Sequence, residues 1–247
     1  MTDLRRFEGR VVIVTGSSSG IGESTARLFD ELGAHVVVNS SSSRQAGIDV
    51  AASLSSGLYV QADVSDSAQS AALVEETVER FGRLDVLVNN AGFTQVVPHH
   101  DLDAVSDDLF RKILEVNVIG PFRLTKLAMP HLRRDGGGSV VNVSSIAGIR
   151  PTGSCIPYAA SKAALNHLTQ LLANVSGPEV RINAVAPGLV RTPWTDDWGP
   201  IHDAMETMAP LARSGTPAEI AAVIVGVSES SYLTGQVVLV DGGMSLR

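Results

Sequence analysis

Val11-Val-Ile-Val-Thr-Gly16-Ser-Ser-Ser-Gly20-Ile-Gly22 is the stretch that decides how this chain folds. A β-branched run over residues 11–15 leads into three glycines, and apolar residues then recur at helical spacing up to Gly33. A strand, a glycine-rich turn and a helix are therefore predicted. A second β-branched run at residues 35–39 completes a βαβ unit within the first forty residues.

Short apolar runs and helical patterns keep alternating along the rest of the chain. Because the strand runs are continuously apolar, they predict a parallel sheet with both faces covered. The expected fold class is α/β, a three-layer doubly wound parallel sheet of seven strands, in one domain over residues 1–247. Further strands are predicted at 58–61, 84–89, 139–143, 181–185 and 236–240, helices at 67–81, 106–132 and 158–175, a capped helix start at Thr216, and loops at 40–43 and 136–138.

The composition of the 247 residues excludes several classes of protein. Charged residues make up 18% and hydrophobic residues 44%, which is typical of a chain with a sizeable core. The formal net charge is -7 and no stretch is strongly basic, so nucleic acid is not an expected partner. Apolar runs such as residues 221–227 are far shorter than the roughly 18 residues of a membrane span. Residues 1–10 contain no apolar signal segment, so a cytoplasmic location without a membrane partner is expected.

Cysteine and histidine give no sign of metal chemistry. The single cysteine, Cys155, cannot form an internal disulfide or supply a cysteine cluster for zinc. The six histidines show no metal-binding spacing, so no metal site is expected. His99 and His100 follow Pro98 in a polar segment and are interpreted as solvated.

The glycine turn has three interpretations. Glycines between a strand and a helix let the backbone approach a pyrophosphate and aim the helix N-terminus at it, which favours an anionic dinucleotide. The spacing is G-x-x-x-G-x-G rather than G-x-G-x-x-G, so the glycines could serve the turn alone. Residues 16–20 also satisfy G-x-S-x-G, which would make Ser18 the nucleophile of a serine hydrolase. That motif normally follows several strands, whereas only fifteen residues precede it in this chain.

Tyr158 and Lys162 are four residues apart in a predicted helix, so their polar ends can converge on one site. A nearby ammonium favours the phenolate and lowers the pKa of a tyrosine, which makes it a usable acid or base. Ser145 follows the fifth predicted strand, at the edge where doubly wound sheets bind ligands. Asn117 is polar among apolar neighbours and is expected to be buried. Tyr158 and Lys162 alone could also be a surface pair.

Six motifs together resemble the short-chain dehydrogenase/reductase family, in the family's order and spacing, from Gly9 to Gly243. They are Thr15 to Gly22, Asn89-Asn90-Ala91-Gly92, Asn117, Ser145, Tyr158-x-x-x-Lys162 and Pro187-Gly188. The resemblance implies a Rossmann fold and an oxidoreductase that moves a hydride between a nicotinamide cofactor and a ketone or secondary alcohol. It implies that Tyr158 is the catalytic acid/base and that Lys162 lowers its pKa and holds the nicotinamide ribose. Ser145 would donate to the substrate oxygen, and Asn117 would hold a proton-relay water.

The resemblance also assigns cofactor contacts. Asp63 and Val64 match positions at the adenine, Asn90 to Gly92 match positions at the adenosine ribose, and Val190 and Thr192 match contacts to the nicotinamide amide and diphosphate. The expected cofactor contacts are Gly16, Ser18, Ser19, Gly20, Ile21, Gly22, Asn39, Ser40, Ser41, Ser42, Arg44, Asp63, Val64, Asn90, Ala91, Gly92, Tyr158, Lys162, Pro187, Gly188, Val190 and Thr192.

The end of the second strand favours NADP(H) over NAD(H). An acid there binds the ribose 2′-hydroxyl of NAD, and this chain has none. Instead, residues 39–43 and Arg44 supply hydroxyl groups and a guanidinium suited to a phosphate. The serine run could equally be a flexible loop with Arg44 in solvent, which leaves NAD(H) as the alternative. The glycine turn also lacks the basic residue that NADP-binding members of the family often carry.

Residues 189–215 match the family's substrate lid. This segment carries Trp194, Trp198 and Met205. These apolar side chains indicate either a partly hydrophobic substrate or a lid that packs on its own protein. Phe93, Thr94, Gln95, Ile146 and Cys155 are expected in the remaining walls.

Two substrate classes are expected. The pattern is similar to 3-oxoacyl-[acyl-carrier-protein] reductases, with a 3-oxoacyl thioester as substrate, and a generic ketone/alcohol oxidoreductase is the other. Arg133 and Arg134 could receive an acyl carrier protein, although residues 177–179 lack the second arginine of that subgroup. The helices at 106–132 and 158–175 match the family's dimer interface, which implies a homotetramer. A non-catalytic cofactor sensor with the same fold stays open as an alternative.

Overall fold

The sheet confirms the expected α/β class. The structure, a computed structural model, describes residues 5–134 and 136–246. The predicted domain limits 1 and 247, and the first four residues of the segment 1–10, lie outside them. Within the described residues, seven parallel strands pair in the order β3-β2-β1-β4-β5-β6-β7. They are β1 (Val11–Val14), β2 (His35–Ser40), β3 (Gly57–Gln61), β4 (Val86–Asn89), β5 (Gly138–Val143), β6 (Val180–Pro187) and β7 (Val237–Val240).

Helices cover both faces of the sheet. They are α1 (Gly20–Glu31), α2 (Arg44–Ser53), α3 (Ser67–Phe81), α4 (Asp107–Leu114), α5 (Gly120–Leu132), α6 (Ile156–Ser176), α7 (Gly199–Met208) and α8 (Pro217–Glu229). Successive strand residues point to opposite faces, so Val12 and Val14 pack against α1 and α8, whereas Val11 and Ile13 pack against the side formed by α3 and α5. This double burial explains the continuously apolar strands.

The predicted helix 106–132 is wrong in detail, because it is two α-helices joined by a π-helical turn, Glu115–Ile119. The apolar pattern runs through all three segments and so hides the π-helical turn, in which Asn117 bonds to Phe93 and Ser161. The predicted loop 136–138 is one residue too long, because Gly138 begins β5.

Two helices escaped the sequence analysis. Helix α2 has a glycine, Gly47, in its middle, which weakens the helical signal. A Cβ on Gly47 would overlap the ring of Tyr59 in β3, so the glycine is required by packing and not by the helix. Helix α7 lies within the segment expected to be a lid.

Helix α8 begins as predicted. The Thr216 hydroxyl accepts from Glu219 N at 3.4 Å, and the Glu219 carboxylate accepts from Thr216 N at 2.8 Å. Bonds from Arg213 and Thr216 lower the pKa of Glu219 to about 2. Across the described residues, no helix is long and apolar enough to cross a bilayer.

Candidate active site

A cavity of about 1180 Å³ runs along the carboxyl ends of the strands. Its floor is the glycine turn after β1, the segment after β2 and the ends of β4 and β5. Its roof is the segment 189–215 that precedes α8. The volume is sufficient for a dinucleotide together with a small substrate, and the position is the one that doubly wound sheets use for ligands.

The glycine turn is locked in place by neighbouring strands. Gly16 and Gly20 have φ of 62° and 60°, a left-handed conformation that favours glycine. Asn90 Nδ2 donates to Thr15 O at 2.8 Å and to Gly16 O at 3.0 Å, which fixes the turn to the end of β4. A Cβ on Gly22 would overlap the Gly16 carbonyl oxygen and lie 2.5 Å from Asn90 Nδ2. The turn therefore needs glycine for close backbone packing.

The first turn of α1 fits an anionic group. Ser19 is the N-cap residue of α1, and its side chain makes no capping hydrogen bond. The backbone amides of the first turn are therefore not occupied by a capping side chain. Free amides and the helix dipole together suit a phosphate. A nicotinamide dinucleotide therefore fits the chemistry of this end of the cavity.

The predicted cofactor contacts converge on this cavity, with one exception. Arg44 is the first residue of α2, is exposed and lies outside the cavity lining in the described part of the chain. The guanidinium expected at a 2′-phosphate is therefore not in the wall, whereas Ser43, which belongs to the predicted hydroxyl run but not to the list of expected contacts, is. The lining residues that were predicted are Gly16, Ser18, Ser19, Gly20, Ile21, Gly22, Asn39, Ser40, Ser41, Ser42, Asp63, Val64, Asn90, Ala91, Gly92, Tyr158, Lys162, Pro187, Gly188, Val190 and Thr192.

In the wall after β2, the side chains of Asn39 and Ser40 are already engaged. Asn39 is 1% exposed, donates to Val60 O at 3.1 Å and Ala62 O at 3.0 Å, and accepts from Gly16 N at 3.3 Å. It supports the glycine turn from below. Ser40 Oγ is paired with the Tyr59 hydroxyl at 2.9 Å. The hydroxyl groups that this wall offers to a ligand are therefore those of residues 41–43.

Helix α6 places Tyr158 and Lys162 in the cavity beside Ser145, which follows β5. Lys162 is 3% exposed, and its Nζ donates to Val143 O at 2.8 Å and lies 5.6 Å from the centre of the Tyr158 ring. The Ser145 side chain lies close enough to the Tyr158 hydroxyl to lower its pKa. An acid/base phenol, an ammonium and a hydroxyl therefore face one space.

Asn117 is buried as expected, but its side chain is fully used. Its Oδ1 accepts from Phe93 N at 2.8 Å, and its Nδ2 donates to Phe93 O at 3.0 Å and to Ser161 Oγ at 3.0 Å. The residue thus ties the segment after β4 to α6, next to Lys162. Sequence reasoning placed Asn117 at the site but could not show this positioning role.

The pKa of Tyr158 differs from the expectation. Burial is its largest effect and raises it to about 12, although the Ser145 side chain acts in the opposite direction. Burial also lowers the pKa of Lys162 to about 8. In this structure the net direction at Tyr158 is therefore upward, and the lowering of its pKa by Lys162 stays a prediction.

The remaining walls are partly as expected. Phe93, Thr94 and Ile146 line the cavity, whereas Gln95 is exposed and Cys155 is buried behind the wall in a small apolar cluster with Val97 and Ile113. In the roof, Trp194, Trp198 and Met205 line the cavity. Val190 pairs with Gly215, so a backbone bridge closes the base of the segment 189–215.

Two wall residues escaped the sequence analysis. The interpretation of His99 as solvated is wrong, because it lines the cavity and its Nε2 is buried; His100 is exposed. Lys112 of α4 also lines the cavity. In the sequence, Lys112 follows Arg111 in a predicted helix, and nothing in that pattern separates it from a surface lysine.

A doubly wound sheet with a dinucleotide-sized cavity and a Tyr-Lys-Ser group beside it defines the site of a dinucleotide-dependent oxidoreductase. The hydrolase alternative finds no support at Ser18: the histidines with hydrogen bonds, His35, His167 and His202, bond to other groups. Ser18 lies in the glycine turn beside the proposed phosphate site.

Comparisons with known proteins agree. The chain matches the family described as Enoyl-(Acyl carrier protein) reductase over residues 16–245. It is 53% identical over 242 residues to a Streptomyces violaceoruber protein described as ketoacyl reductase 2 of the granaticin polyketide synthase, with 97% of each chain covered. It is 40% identical over 250 residues to the L-fucose dehydrogenase of Bos taurus, covering 98% of this chain and 91% of that one. A crystal structure from Burkholderia xenovorans, described as a short-chain dehydrogenase/reductase, has a TM-score of 0.90 at 39% identity and covers 96% and 98% of the two chains.

This chain belongs to the short-chain dehydrogenase/reductase family. It is an NAD(P)-dependent oxidoreductase, and its reaction is hydride transfer between a nicotinamide cofactor and a ketone or secondary alcohol.

Proposed function

We propose that this protein is an NADPH-preferring reductase of ketones with an apolar body, of which a 3-oxoacyl thioester is the leading class. The observation that carries the cofactor preference is the wall after β2. Ser41, Ser42 and Ser43 line it with hydroxyl groups, and no carboxylate stands at the end of this strand. Hydroxyl donors suit a 2′-phosphate, whereas a carboxylate would repel it.

The catalytic proposal rests on the group around Tyr158. The bound nicotinamide would supply the hydride, the glycine turn would hold its diphosphate, and Lys162 would hold its ribose. The Tyr158 hydroxyl then donates a proton to the substrate oxygen while Ser145 donates a hydrogen bond to the same oxygen. The raised pKa keeps Tyr158 protonated at neutral pH but also makes it a weaker acid, so the proposal requires Lys162 and Ser145 to stabilise the phenolate as the proton leaves.

The substrate proposal rests on the roof of the cavity. Trp194, Trp198 and Met205 line it, and the Trp194 ring lies 6.5 Å from the Tyr158 ring. These side chains favour an acyl chain or ring beside the reacting carbonyl. They disfavour a sugar such as the one named for the bovine relative. The name of the Streptomyces relative favours a ketoacyl substrate for this chain as well.

The first experiment compares cofactors. Fluorescence titration of the purified chain is expected to give tighter binding of NADPH than of NADH. Ser42→Asp should reverse this preference by placing a carboxylate in the wall. Ser67→Asp, which adds the same charge at the exposed start of α3, should leave it unchanged. Tighter NADH binding by the unmodified chain would overturn the proposed preference.

The second experiment tests the proton donor. Tyr158→Phe is expected to lower kcat by a factor of about 100 to 10,000 while NADPH affinity is largely kept. Ketone reduction at the unmodified rate in this variant would remove Tyr158 from the mechanism. Reduction is followed by loss of NADPH absorbance, and cofactor affinity by the titration above.

We further propose a homotetramer in which the outer face of α5 and α6 pairs with a second copy. Phe122, Leu171 and Val175 are 43%, 54% and 68% exposed on this face, an unusual cost for a free surface. Tyr232 and Leu246, 103% and 82% exposed, would serve the second interface that a tetramer needs. Light scattering should give a molar mass of four times that of the chain, and Val175→Asp should lower this molar mass. A monomeric unmodified chain would overturn the proposal. An acyl carrier protein would carry the thioester in this proposal, and the exposed Arg133 and Arg134 would receive it.

A further inference from the structure

One wall of the cavity carries two polar side chains that hydride transfer does not use. His99 ends the segment that follows β4, and Lys112 belongs to α4. Val97 and Ile113 pack in one small buried cluster, which joins the chain segment of His99 to the helix of Lys112. The segment of His99 and the helix of Lys112 are therefore packed together, and both side chains line the cavity.

Lys112 carries a positive charge that is positioned but not paired. Its Nζ lies 4.2 Å from the centre of the Phe93 ring, close enough for a cation–π contact. The acids one turn earlier, Asp107 and Asp108, pair instead with Arg111 at 2.9 and 3.1 Å. In residues 5–134 and 136–246, no carboxylate forms an ion pair with Lys112. Its three N–H donors are thus available to a ligand.

His99 supplies a second unmatched group. Its Nε2 is buried and has no hydrogen-bond partner within the described structure. A buried polar atom without a partner is costly, and a rotation of the imidazole that presents this atom to a ligand in the cavity would remove that cost. The segment that carries His99 is held at the wall by two contacts with Ser154. Val97 N donates to Ser154 O at 2.8 Å, and the Thr94 and Ser154 hydroxyls lie 2.6 Å apart.

The pair is linked to the reacting centre by short contacts. Phe93, under the Lys112 ammonium, is bonded through its backbone to Asn117, which in turn bonds Ser161, the residue before Lys162. The roof is mostly apolar, and its polar lining residues are Thr192, Thr195 and the exposed Asp197. A substrate in this space therefore meets an apolar surface on the roof side and a cationic, hydrogen-bonding surface on the α4 side.

We infer that Lys112 and His99 form a recognition point for a carboxylate on the ketone substrate, at a distance from the reacting carbonyl. Lys112 supplies the charge and His99 a directed hydrogen bond, while the roof holds the apolar body between the two polar ends. This inference rests on the proposed function, because it assigns specificity to the same cavity.

The test measures binding of two probes that differ only in a carboxylate, 4-phenylbutan-2-one and 4-(3-oxobutyl)benzoate. Saturating oxidised cofactor is present, so that the ketones bind without being reduced. Quenching of tryptophan fluorescence reports occupancy, because both tryptophans of the chain, Trp194 and Trp198, line the cavity. Lys112→Met is compared with Arg111→Met, which removes the same charge from the neighbouring, paired position. His99→Leu is compared with His100→Leu at the exposed neighbour.

The carboxylate probe is expected to bind about fivefold more tightly than the neutral one, as a partly exposed ion pair allows. Lys112→Met should abolish this preference and His99→Leu should reduce it, whereas Arg111→Met and His100→Leu should keep it. Equal binding of the two probes, no binding of the carboxylate probe, or an equal loss in Arg111→Met would overturn the inference. Reduction of the neutral ketone by the unmodified chain with NADPH is measured separately, and its absence would count against the proposed function instead.

Discussion

Gly22→Ala gives a sharp test of why the glycine turn has its sequence. Gly22 lies in the first turn of α1, where alanine would ordinarily gain about 1 kcal/mol of helix propensity. In this fold, however, the added methyl group would overlap Gly16 O and lie 2.5 Å from Asn90 Nδ2 and 2.8 Å from Ser17 Cα. Overpacking of this kind costs about 1–3 kcal/mol, and here the neighbours are backbone atoms and a bonded amide that cannot move alone.

The net expectation is a loss of up to about 2 kcal/mol in the free energy of unfolding. NADPH affinity should fall by at least about tenfold, since the displaced turn is the proposed phosphate site. Gly226→Ala is the matched control, because Gly226 is also helical and a Cβ there meets no atom within 4 Å. That variant should gain up to about 1 kcal/mol. Urea unfolding and NADPH fluorescence titration measure both effects. Equal stability of the two variants, with unchanged NADPH affinity in Gly22→Ala, would refute the reasoning.

Three further predictions concern the frame of the site. Burial lowers the pKa of Lys162 to about 8, so between pH 8 and 10 the unfolded chain binds more protons than the folded chain. The free energy of unfolding should therefore rise over this range by at most about 3 kcal/mol relative to that of Lys162→Met. Parallel pH profiles of the two proteins in urea unfolding would contradict this. Asn117→Ala should lower the free energy of unfolding by about 2–3 kcal/mol and also lower kcat, because the variant loses the hydrogen bonds to Phe93 and Ser161. Normal turnover in the folded variant would show that these bonds do not position the site. Thr216→Ala should cost about 1 kcal/mol through loss of the α8 cap, with KM unchanged, as thermal unfolding and steady-state kinetics can show.

The sequence determined the seven strands, most of the helices between them and the residues at the carboxyl edge of the sheet, but not helices α2 and α7. Local patterns were enough, because a strand buried on both faces reads as a continuous apolar run and a tight turn requires glycine. The strand at residues 139–143 and the helix at 67–81 were placed within a residue of their observed bounds for this reason. Convergence of Ser145, Tyr158 and Lys162 followed from the topology, since parallel strands end at one edge.

Only the tertiary structure decided what each side chain faces. Arg44 turned out to begin α2 outside the cavity, and the Asn39 amide is used beneath the glycine turn by partners more than twenty residues away. His99 and Lys112 entered the wall because distant segments pack there. The direction of the Tyr158 pKa likewise depends on burial by residues that are remote in sequence. Sequence patterns record short-range preferences, whereas burial, charge pairing and hydrogen-bond completion are set by contacts between distant parts of the chain.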